Sequence, residues 1–457
     1  MRVSIVGTGY VGLVSGVCLA HLGHEVTCVD VDVDKVAAIN QGVCPIHEAG
    51  LPELLSEVVG TRLRATTSMD QAIAQTEATI IAVGTPFGEG RIDLSQIEEA
   101  AEAVGRSMAR LDRYHVVAVK STVVPGTTED VVGPALERAS GRSIGRDFGL
   151  AMNPEFLREG VAVSDFLEPD RIVLGGIDGR TLDVLEELYT VFDDAPILRV
   201  DPRTAETIKY ASNALLASLI SFSNEVANLC ARDGTDVVDV LSGVQLDRRL
   251  TPIVDGVRVS PGILAFLAAG CGFGGSCFPK DVKALVAHGE ATGVEMPVLR
   301  SVLEVNQRQP DVLIERLDAH LDVSGRRIAV LGAAFKPGTD DVRESPTLTV
   351  VPRLLARGAS VTVHDPVAVG NCREVLGDGS ITYTDDLAAA LEDAEVAVLI
   401  TAWPEYEQLP ELLEGRDVLV VDGRRMLPPG AFARYDGIGY PARRTSEVGK
   451  VGGIEAR

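Results

Sequence analysis

Short apolar runs alternating with helix-periodic stretches organise both ends of this 457-residue chain. The pattern predicts strands at Arg2–Val6, Glu25–Asp30, Thr79–Val83, Val116–Lys120, Gly149–Met152 and Ile172–Gly175, with a helix over Val11–Leu22 following the first. Near-continuous apolar strands separated by helices are what a parallel sheet covered on both faces requires. From about Pro202 the pattern changes. Thr204–Ala231 has no glycine or proline and reads as one long helix, with shorter helices following to about Gln309. Alternation resumes at Arg327–Leu331 and continues through Ser360–His364, Val396–Thr401 and Val418–Asp422. The expected fold is α/β: two Rossmann-like doubly wound parallel-sheet domains, 1–201 and 311–457, joined by a central long-helix α domain, 202–310.

Composition narrows the function classes. Hydrophobic residues reach 46%, enough for more than one core. A formal charge of −24 argues against nucleic acid or an anionic membrane as partner. The seven cysteines (Cys18, Cys28, Cys44, Cys230, Cys271, Cys277 and Cys372) form no CxxC pair and no regular spacing. An odd count without a secretory signal reads as a reducing cytoplasm, with neither a disulfide framework nor a metal site expected. The first strand begins at once, so no targeting segment is expected. Val259–Pro279 is uncharged over about a membrane's length, but its five glycines, two prolines and two serines suit a buried loop rather than a spanning helix.

Gly7-Thr8-Gly9-Tyr10-Val11-Gly12 matches G-x-G-x-x-G directly after a strand and opening a helix. Glycines there permit a tight turn and let backbone N–H groups approach a pyrophosphate at the helix N-terminus. Asp30, ending the second strand, is placed to accept the adenosine ribose hydroxyls and to repel a 2′-phosphate, which selects NAD over NADP. A purely structural tight turn is the competing reading, and Asp30 in this context weighs against it. The second α/β segment has only Gly332 after its strand, so no second dinucleotide site is expected.

A second chemical signal lies at Gly272-Phe273-Gly274-Gly275-Ser276-Cys277-Phe278-Pro279-Lys280-Asp281. Pro279 suits the first turn of a helix continuing through His288, which puts Cys277 just before a helix N-terminus. There the helix dipole and Lys280 are expected to lower the thiol pKa, and Asp281 to orient a water or act as base. A buried packing cysteine is the bland alternative, and Cys271 fits that description. Lys209 and Asn213, four apart on the long helix, share one face with Glu206 nearby. A solvated polar face is the default reading. However, Lys209 is one of only seven lysines, and a lysine with an amide suits an oxyanion. Asn153–Gly160 follows a strand end, where Glu155 is a candidate acid–base group, and Lys120-Ser121-Thr122 ends another strand, where Thr122 supplies a hydroxyl. A thiol nucleophile beside a hydride acceptor points to oxidation of a carbon through an acyl-enzyme.

In order along nearly the whole chain, these segments resemble the UDP-glucose/GDP-mannose dehydrogenase family. The likeness is carried by Gly7–Gly12, Val83-Gly84-Thr85-Pro86, Lys120-Ser121-Thr122, Asn153–Gly160, Ala205-Glu206 with Lys209 and Asn213, Gly272–Asp281, Phe335–Ser345 and Asp422-Gly423-Arg424. It implies two successive NAD-dependent oxidations at C6 of a nucleotide sugar, UDP-glucose first, with GDP-mannose or a UDP-N-acetylhexosamine as alternatives. Thr122, Glu155 and Asp281 would hold a water that takes the hydroxyl proton, Lys209 and Asn213 the oxyanion, and Cys277 the aldehyde. The resemblance adds Lys35, Thr85, Glu159, Lys280 and Arg343 to the cofactor contacts, alongside Thr122. It places the sugar nucleotide between the helical and C-terminal domains, against Glu155, Phe156, Leu157, Lys209, Asn213, Phe266, Gly274, Lys336 and Arg424, and implies a homodimer or larger homo-oligomer. One stretch departs from the family pattern. Many members carry Arg-Ile-Gly before a Phe-Leu pair, and that arginine reaches the partner subunit's substrate site. Here the stretch before Phe266-Leu267 reads Val259-Ser260-Pro261-Gly262-Ile263, with Arg248, Arg249 and Arg258 upstream. A single-step hydroxyacid-type dehydrogenase shares the general plan but needs no thiol.

Overall fold

The computed structural model describes residues 1–441. The backbone divides into two compact units. One comprises Met1–Leu215, Ser276–Leu299 and Gly338–Asp340; the other comprises Leu216–Gly275, Arg300–Pro337 and the described chain from Asp341 to 441.

The first unit is built on an eight-stranded sheet: β1 (Arg2–Val6), β2 (Glu25–Val29), β3 (Leu63–Thr66), β4 (Ala78–Ile81), β5 (His115–Val119), β6 (Phe148–Met152), β7 (Ile172–Gly176) and β8 (Ile197–Val200), in the order β8-β7-β6-β5-β4-β1-β2-β3. The apolar runs become its central strands, and Ile5, Ile80, Val117 and Leu150 are buried. Helix α1 (Tyr10–His21) packs on the sheet and is covered on its other faces too, with nine consecutive residues, Gly12–Ala20, buried. Strand order reverses at β1, which pairs in parallel with both β2 and β4. The chain therefore leaves β1 at the crevice where such sheets bind ligands.

The sheet is not wholly parallel. β7 runs antiparallel to β6, with Met152 opposite Gly175, and β8 follows β7. The connection from β6 to β7 holds only the short helix α2 (Ala162–Leu167). An antiparallel neighbour needs no crossover over the sheet face. The whole Asn153–Arg171 link consequently stays at the carboxyl edge where β6 ends, the edge that carries the glycine turn.

Helix α3 (Pro202–Asp233) extends the predicted helix by two residues at each end. Asp201 caps it, accepting the Thr204 amide at 2.8 Å, Pro202 takes its first position, and Gly234 with φ +76° ends it. By length and composition α3 could cross a membrane. It nevertheless carries Glu206, Lys209 and Asn213, all buried, which marks the core helix of a folded unit. Helices α4 (Phe278–Ala291) and α5 (Pro297–Asp318) follow. The second unit holds a six-stranded sheet, β9 (Arg327–Leu331), β10 (Ser360–His364), β11 (Ile381–Thr384), β12 (Val396–Leu399), β13 (Leu419–Asp422) and β14 (Arg434–Gly437), in the order β11-β10-β9-β12-β13-β14. All its pairs are parallel.

Candidate active site

Two glycines of the turn after β1 are closed to any side chain. Gly7 has φ +94°, and a Cβ there would lie 2.7 Å from the Ala82 carbonyl oxygen; one on Gly12 would lie 1.9 Å from the Gly7 carbonyl oxygen. Gly9 differs: a Cβ there would meet nothing within 4 Å. The turn is thus packed shut on the protein side and open at Gly9, where α1 begins with no side-chain cap on its N–H groups. Tyr10 and Val11 at that helix start are half-buried. Asp30 follows β2 and accepts the Thr8 amide at 2.8 Å, the Thr8 hydroxyl at 2.5 Å and the Asp32 amide at 3.0 Å. Burial opposes its charge, yet these bonds to Thr8 and Asp32 hold its carboxyl below the ordinary range. Oδ1 keeps acceptor capacity, so cradle and carboxylate together fit a dinucleotide. Thr85 donates its hydroxyl to the Thr122 carbonyl at 2.7 Å, and Lys35 is exposed in the helical turn capped by Asp32.

Glu48, which no sequence motif marks, ties this turn to the link after β6. The Tyr10 hydroxyl donates to it, and it accepts the Gly160 and Ala162 amides at 2.7 Å each. Glu159 in the same link accepts the Ser276 hydroxyl at 3.1 Å, and that hydroxyl lies 3.6 Å from the Cys277 sulfur.

Cys277 is the N-cap of α4, and Asp281 in the first turn donates its amide to the Cys277 carbonyl at 2.8 Å. The Lys209 ammonium contacts Glu155 Oε1 at 2.8 Å, while Glu155 Oε2 accepts the Leu157 amide at 2.6 Å. Asn213 donates to Asp281 Oδ2 at 2.6 Å and Lys280 to Oδ1 at 2.6 Å. Phe156 lies beneath the Arg171 guanidinium, 3.9 Å from ring centre to carbon, with the Lys209 nitrogen at 5.5 Å. One unit therefore gathers Cys277, Lys209, Asn213, Asp281, Lys280 and Glu155, residues scattered over the sequence.

Here one competing reading is set aside and one expectation is corrected. The polar face of α3 is not solvated: Lys209, Asn213 and Glu206 are 3%, 7% and 0% exposed. Each is matched inside, Glu206 by the Gly126 amide at 2.5 Å, the Thr128 amide at 2.8 Å and the Thr128 hydroxyl at 2.6 Å. The Cys277 thiol is not acidified either. Burial first, then the Glu155 carboxylate, push it up to about 11, with Asp281 adding to the rise and Lys209 pulling against it. Lys280, the cation adjacent in sequence, is spent on Asp281. A thiol of this kind is protonated at neutral pH and must give up its proton as it attacks.

Burial also works against the Lys209 ammonium, but Glu155, Cys277 and Asp281 outweigh it and hold the group above its usual range. Lys120 shows the opposite balance. Burial, with Lys209 nearby and only Glu155 to offset it, brings it down to about 8. Its ammonium donates to Asn153 Oδ1 at 3.0 Å, the same oxygen that accepts the Tyr189 hydroxyl. Thr122 is half-buried at the end of this strand.

The remaining expected contacts belong to the second unit. Gly274 lies where a Cβ would be 2.3 Å from the Glu344 carbonyl oxygen, and Gly275, with φ +84°, where one would be 2.7 Å from the Phe335 ring. The glycine run before the cysteine thus lets its backbone press against Phe335 and Glu344. Arg343 pairs with Asp341 at 2.7 Å, and the Lys336 nitrogen lies 5.8 Å from the Phe335 ring centre. Arg424 donates to the Ile400 carbonyl at 2.5 Å and the Gly272 carbonyl at 3.0 Å. Phe266 is half-buried at the end of the short turn Gly262–Phe266. Arg258 folds back onto the segment that precedes it, donating to the Leu246 and Thr251 carbonyls and the Thr251 hydroxyl at 2.9, 3.1 and 2.7 Å. Cys271 is fully buried in the apolar core of its unit, its thiol 3.6 Å from the Ile400 carbonyl.

Comparison with known proteins adds three matches of consecutive family models. The NAD binding domain of the UDP-glucose/GDP-mannose dehydrogenase family matches residues 1–193, its central domain 203–308 and its UDP binding domain 329–429. UDP-glucose 6-dehydrogenase AglM of Haloferax volcanii is 45% identical over 96% of this chain and 99% of its own. UDP-glucose 6-dehydrogenase of Pseudomonas aeruginosa is 40% identical over 96% and 98%. Among solved structures, a UDP-glucose dehydrogenase from Pyrobaculum islandicum superposes with a TM-score of 0.87 at 44% identity, covering 96% of this chain and 98% of that one.

Proposed function

The chain belongs to the UDP-glucose/GDP-mannose dehydrogenase family, and from that premise we propose that it oxidises UDP-glucose at C6 to UDP-glucuronate in two successive steps. It is an NAD-dependent nucleotide-sugar dehydrogenase whose product is a uronic acid. UDP-glucose as the sugar rests on relatives of that name at 40–45% identity. The observation that carries the mechanism is Cys277 at a helix N-cap, in the same unit as the dinucleotide turn and electrostatically coupled to Lys209, Glu155 and Asp281.

NAD, when bound, supplies the acceptor for the hydride that leaves C6 in each oxidation. The backbone of Gly7, Gly9, Tyr10, Val11 and Gly12 would hold its pyrophosphate, and Asp30 its adenosine ribose. Lys35, Thr85, Thr122, Glu159, Lys280 and Arg343 complete the cofactor contacts. In the first oxidation the C6 hydroxyl gives its proton to a water held by Thr122, Glu155 and Asp281, while Lys209 and Asn213 donate to the developing oxyanion. Cys277 sulfur then bonds to the aldehyde carbon, and the thiol proton ends on the former carbonyl oxygen. This thiohemiacetal loses the second hydride and its hydroxyl proton to become a thioester. Water, activated by Glu155 or Asp281, cleaves the carbon–sulfur bond and restores the thiol.

The substrate contacts are Glu155, Phe156, Leu157, Lys209, Asn213, Phe266, Gly274, Lys336 and Arg424. The functional division is 1–201 for NAD, 202–310 for the thiol loop and dimerisation, and 311–457 for the nucleotide sugar. The working assembly is a homodimer or larger homo-oligomer in the cytoplasm, a compartment consistent with seven free cysteines.

NADH counted per sugar tests the reading across UDP-glucose, GDP-mannose and the UDP-N-acetyl sugars. Two NADH per UDP-glucose are expected, and Cys277→Ser should stop at one or fewer. One NADH per sugar from the unaltered enzyme would sink the four-electron mechanism. Preferred turnover of another nucleotide sugar would move the substrate but keep the chemistry.

A further inference from the structure

The segment Gly270–Gly275 is buried, yet it lies in neither helix nor strand, and four of its residues are glycine. Glycine backbone is the freest to move, and buried N–H and C=O groups outside regular structure need partners brought to them. What holds this loop therefore decides where it stands.

Side chains supply most of the hold. The Gly270 amide donates to Asn224 Oδ1 at 2.8 Å, and the Gly270 carbonyl accepts Gln309 Nε2 at 2.9 Å. Gln309 is fixed in turn by Asn228, whose amide donates to its Oε1 at 3.0 Å. The Cys271 amide donates to the Gly423 carbonyl at 2.9 Å, and Arg424 donates to the Gly272 carbonyl at 3.0 Å. At Phe273 a single side chain takes both backbone groups. Asn306 Oδ1 accepts the Phe273 amide at 2.7 Å, and Asn306 Nδ2 donates to the Phe273 carbonyl at 2.9 Å. An antiparallel strand would offer the same two-bond exchange, and here a side chain of α5 makes it.

The helix is shaped to reach the loop. Asn306 and Gln309 stand three apart on α5 and so share a face. Gly272, with φ +103°, lies against that face: a Cβ there would be 3.0 Å from Asn306 Oδ1 and 3.4 Å from Gln309 Cβ. All of these groups belong to the second unit, together with Gly274 and Arg424.

We propose that Asn306 is a positioning residue for the nucleotide sugar: by clamping Phe273 it holds Gly274, and through the Gly272 carbonyl Arg424, where each meets the substrate. The clamp rests on the reading of Gly274 and Arg424 as substrate contacts. A loop already ordered spends no binding energy on its own ordering, so loosening it costs affinity before it costs chemistry.

Calorimetric titration with UDP-glucose reads the affinity, and steady-state rates separate KM from kcat. Asn306→Ala removes both bonds and should weaken UDP-glucose binding about tenfold, raise its KM by a similar factor, change kcat by less than about threefold and leave KM for NAD unaltered. Asn306→Asp keeps the shape and the acceptor for the Phe273 amide but turns a carboxylate oxygen on the Phe273 carbonyl; once protonated, that carboxyl can donate there again. Relative to the unaltered enzyme at each pH, its affinity should be low near pH 8 and recover towards pH 5. That recovery decides the matter even if Asn306→Ala does not fold. A residue needed only for folding would lower Tm in the variants while affinity and its pH dependence stayed as in the unaltered enzyme, and that result would overturn the proposal. Arg424→Met separates the two readings. Unaltered UDP-glucose affinity in that variant defeats the loop as a substrate contact, whereas weakened binding there with normal affinity in both Asn306 variants defeats only the clamp.

Discussion

Alkylation of Cys277 reads the electrostatics of the thiol directly. Its pKa rises from an ordinary 9.0 to about 11. That rise makes the thiolate population about a hundredfold smaller at neutral pH, roughly three parts in ten thousand at pH 7.5. Because the thiolate is the species that reacts, iodoacetamide should modify Cys277 of the free enzyme about a hundredfold more slowly than an exposed thiol of ordinary acidity at that pH. The rate should go on rising to pH 10 without a plateau. Lys209 is the cation that pulls the thiol down, and it also pairs with Glu155 at 2.8 Å. Lys209→Met removes that pull and frees Glu155 to act on the sulfur, so alkylation should slow by about a further tenfold. Glu155→Gln removes the larger of the two repelling carboxylates and should speed it by a similar factor. Peptide mapping by mass spectrometry separates Cys277 from Cys44, the other incompletely buried cysteine. Half-maximal reactivity below pH 9, or a faster reaction in Lys209→Met, would refute the reasoning.

Three further outcomes follow from the cofactor side. Gly12→Ala forces a Cβ to 1.9 Å from the Gly7 carbonyl oxygen and should cost about 3 kcal/mol or more of stability in thermal unfolding, whereas Gly9→Ala has open space, should keep its Tm, and should weaken NAD binding about tenfold by calorimetry. Asp30→Asn removes the charge that repels a 2′-phosphate while the Thr8 and Asp32 donors remain nearby, so the ratio of NADP to NAD turnover should rise, and an unchanged ratio would deny Asp30 its ribose role. Glu48→Gln leaves one oxygen where the Gly160 and Ala162 amides had two, which should lower stability by roughly 1–3 kcal/mol and raise KM for NAD more than it lowers kcat.

Local rules made the strands, the long helix and the glycine turn legible, because each depends on spacing along the chain. Arg2–Val6, Arg327–Leu331 and Ser360–His364 form as predicted, and the other predicted strands differ by a residue or two at their ends. What stayed hidden depends on distance through space. Lys280 stands three residues from Cys277, yet its ammonium goes to Asp281, and the cation that counts for the thiol is Lys209 from another helix. The direction of β7 was equally hidden, since an apolar run reads the same in either direction and the link before it, with its helix, is long enough for either pairing. Glu48 sits in an irregular stretch with no period or motif, and three hydrogen bonds from remote residues give it its role. The burial of Glu206 could not be inferred from a helix face whose polar residues match a solvated one letter for letter.

The two α/β sheets begin alike and diverge at one acid. Gly332 follows β9 with φ +105°, as Gly7 follows β1 with φ +94°, and Asp365 follows β10 as Asp30 follows β2. Asp30 is half-buried and accepts from Thr8 and Asp32, with capacity left on Oδ1. Asp365 is fully buried and accepts five donors: the amides of Ala333 and Ala334 and the Trp403 indole on Oδ2, and the amides of Val367 and Ala368 on Oδ1. A carboxylate offers about four good acceptor directions, so nothing is left for a ribose hydroxyl. The same strand–turn–acid sequence therefore builds an open cradle in the first sheet and an internal brace in the second. A nucleotide recognised by the second unit must be held by groups other than its Asp30 counterpart.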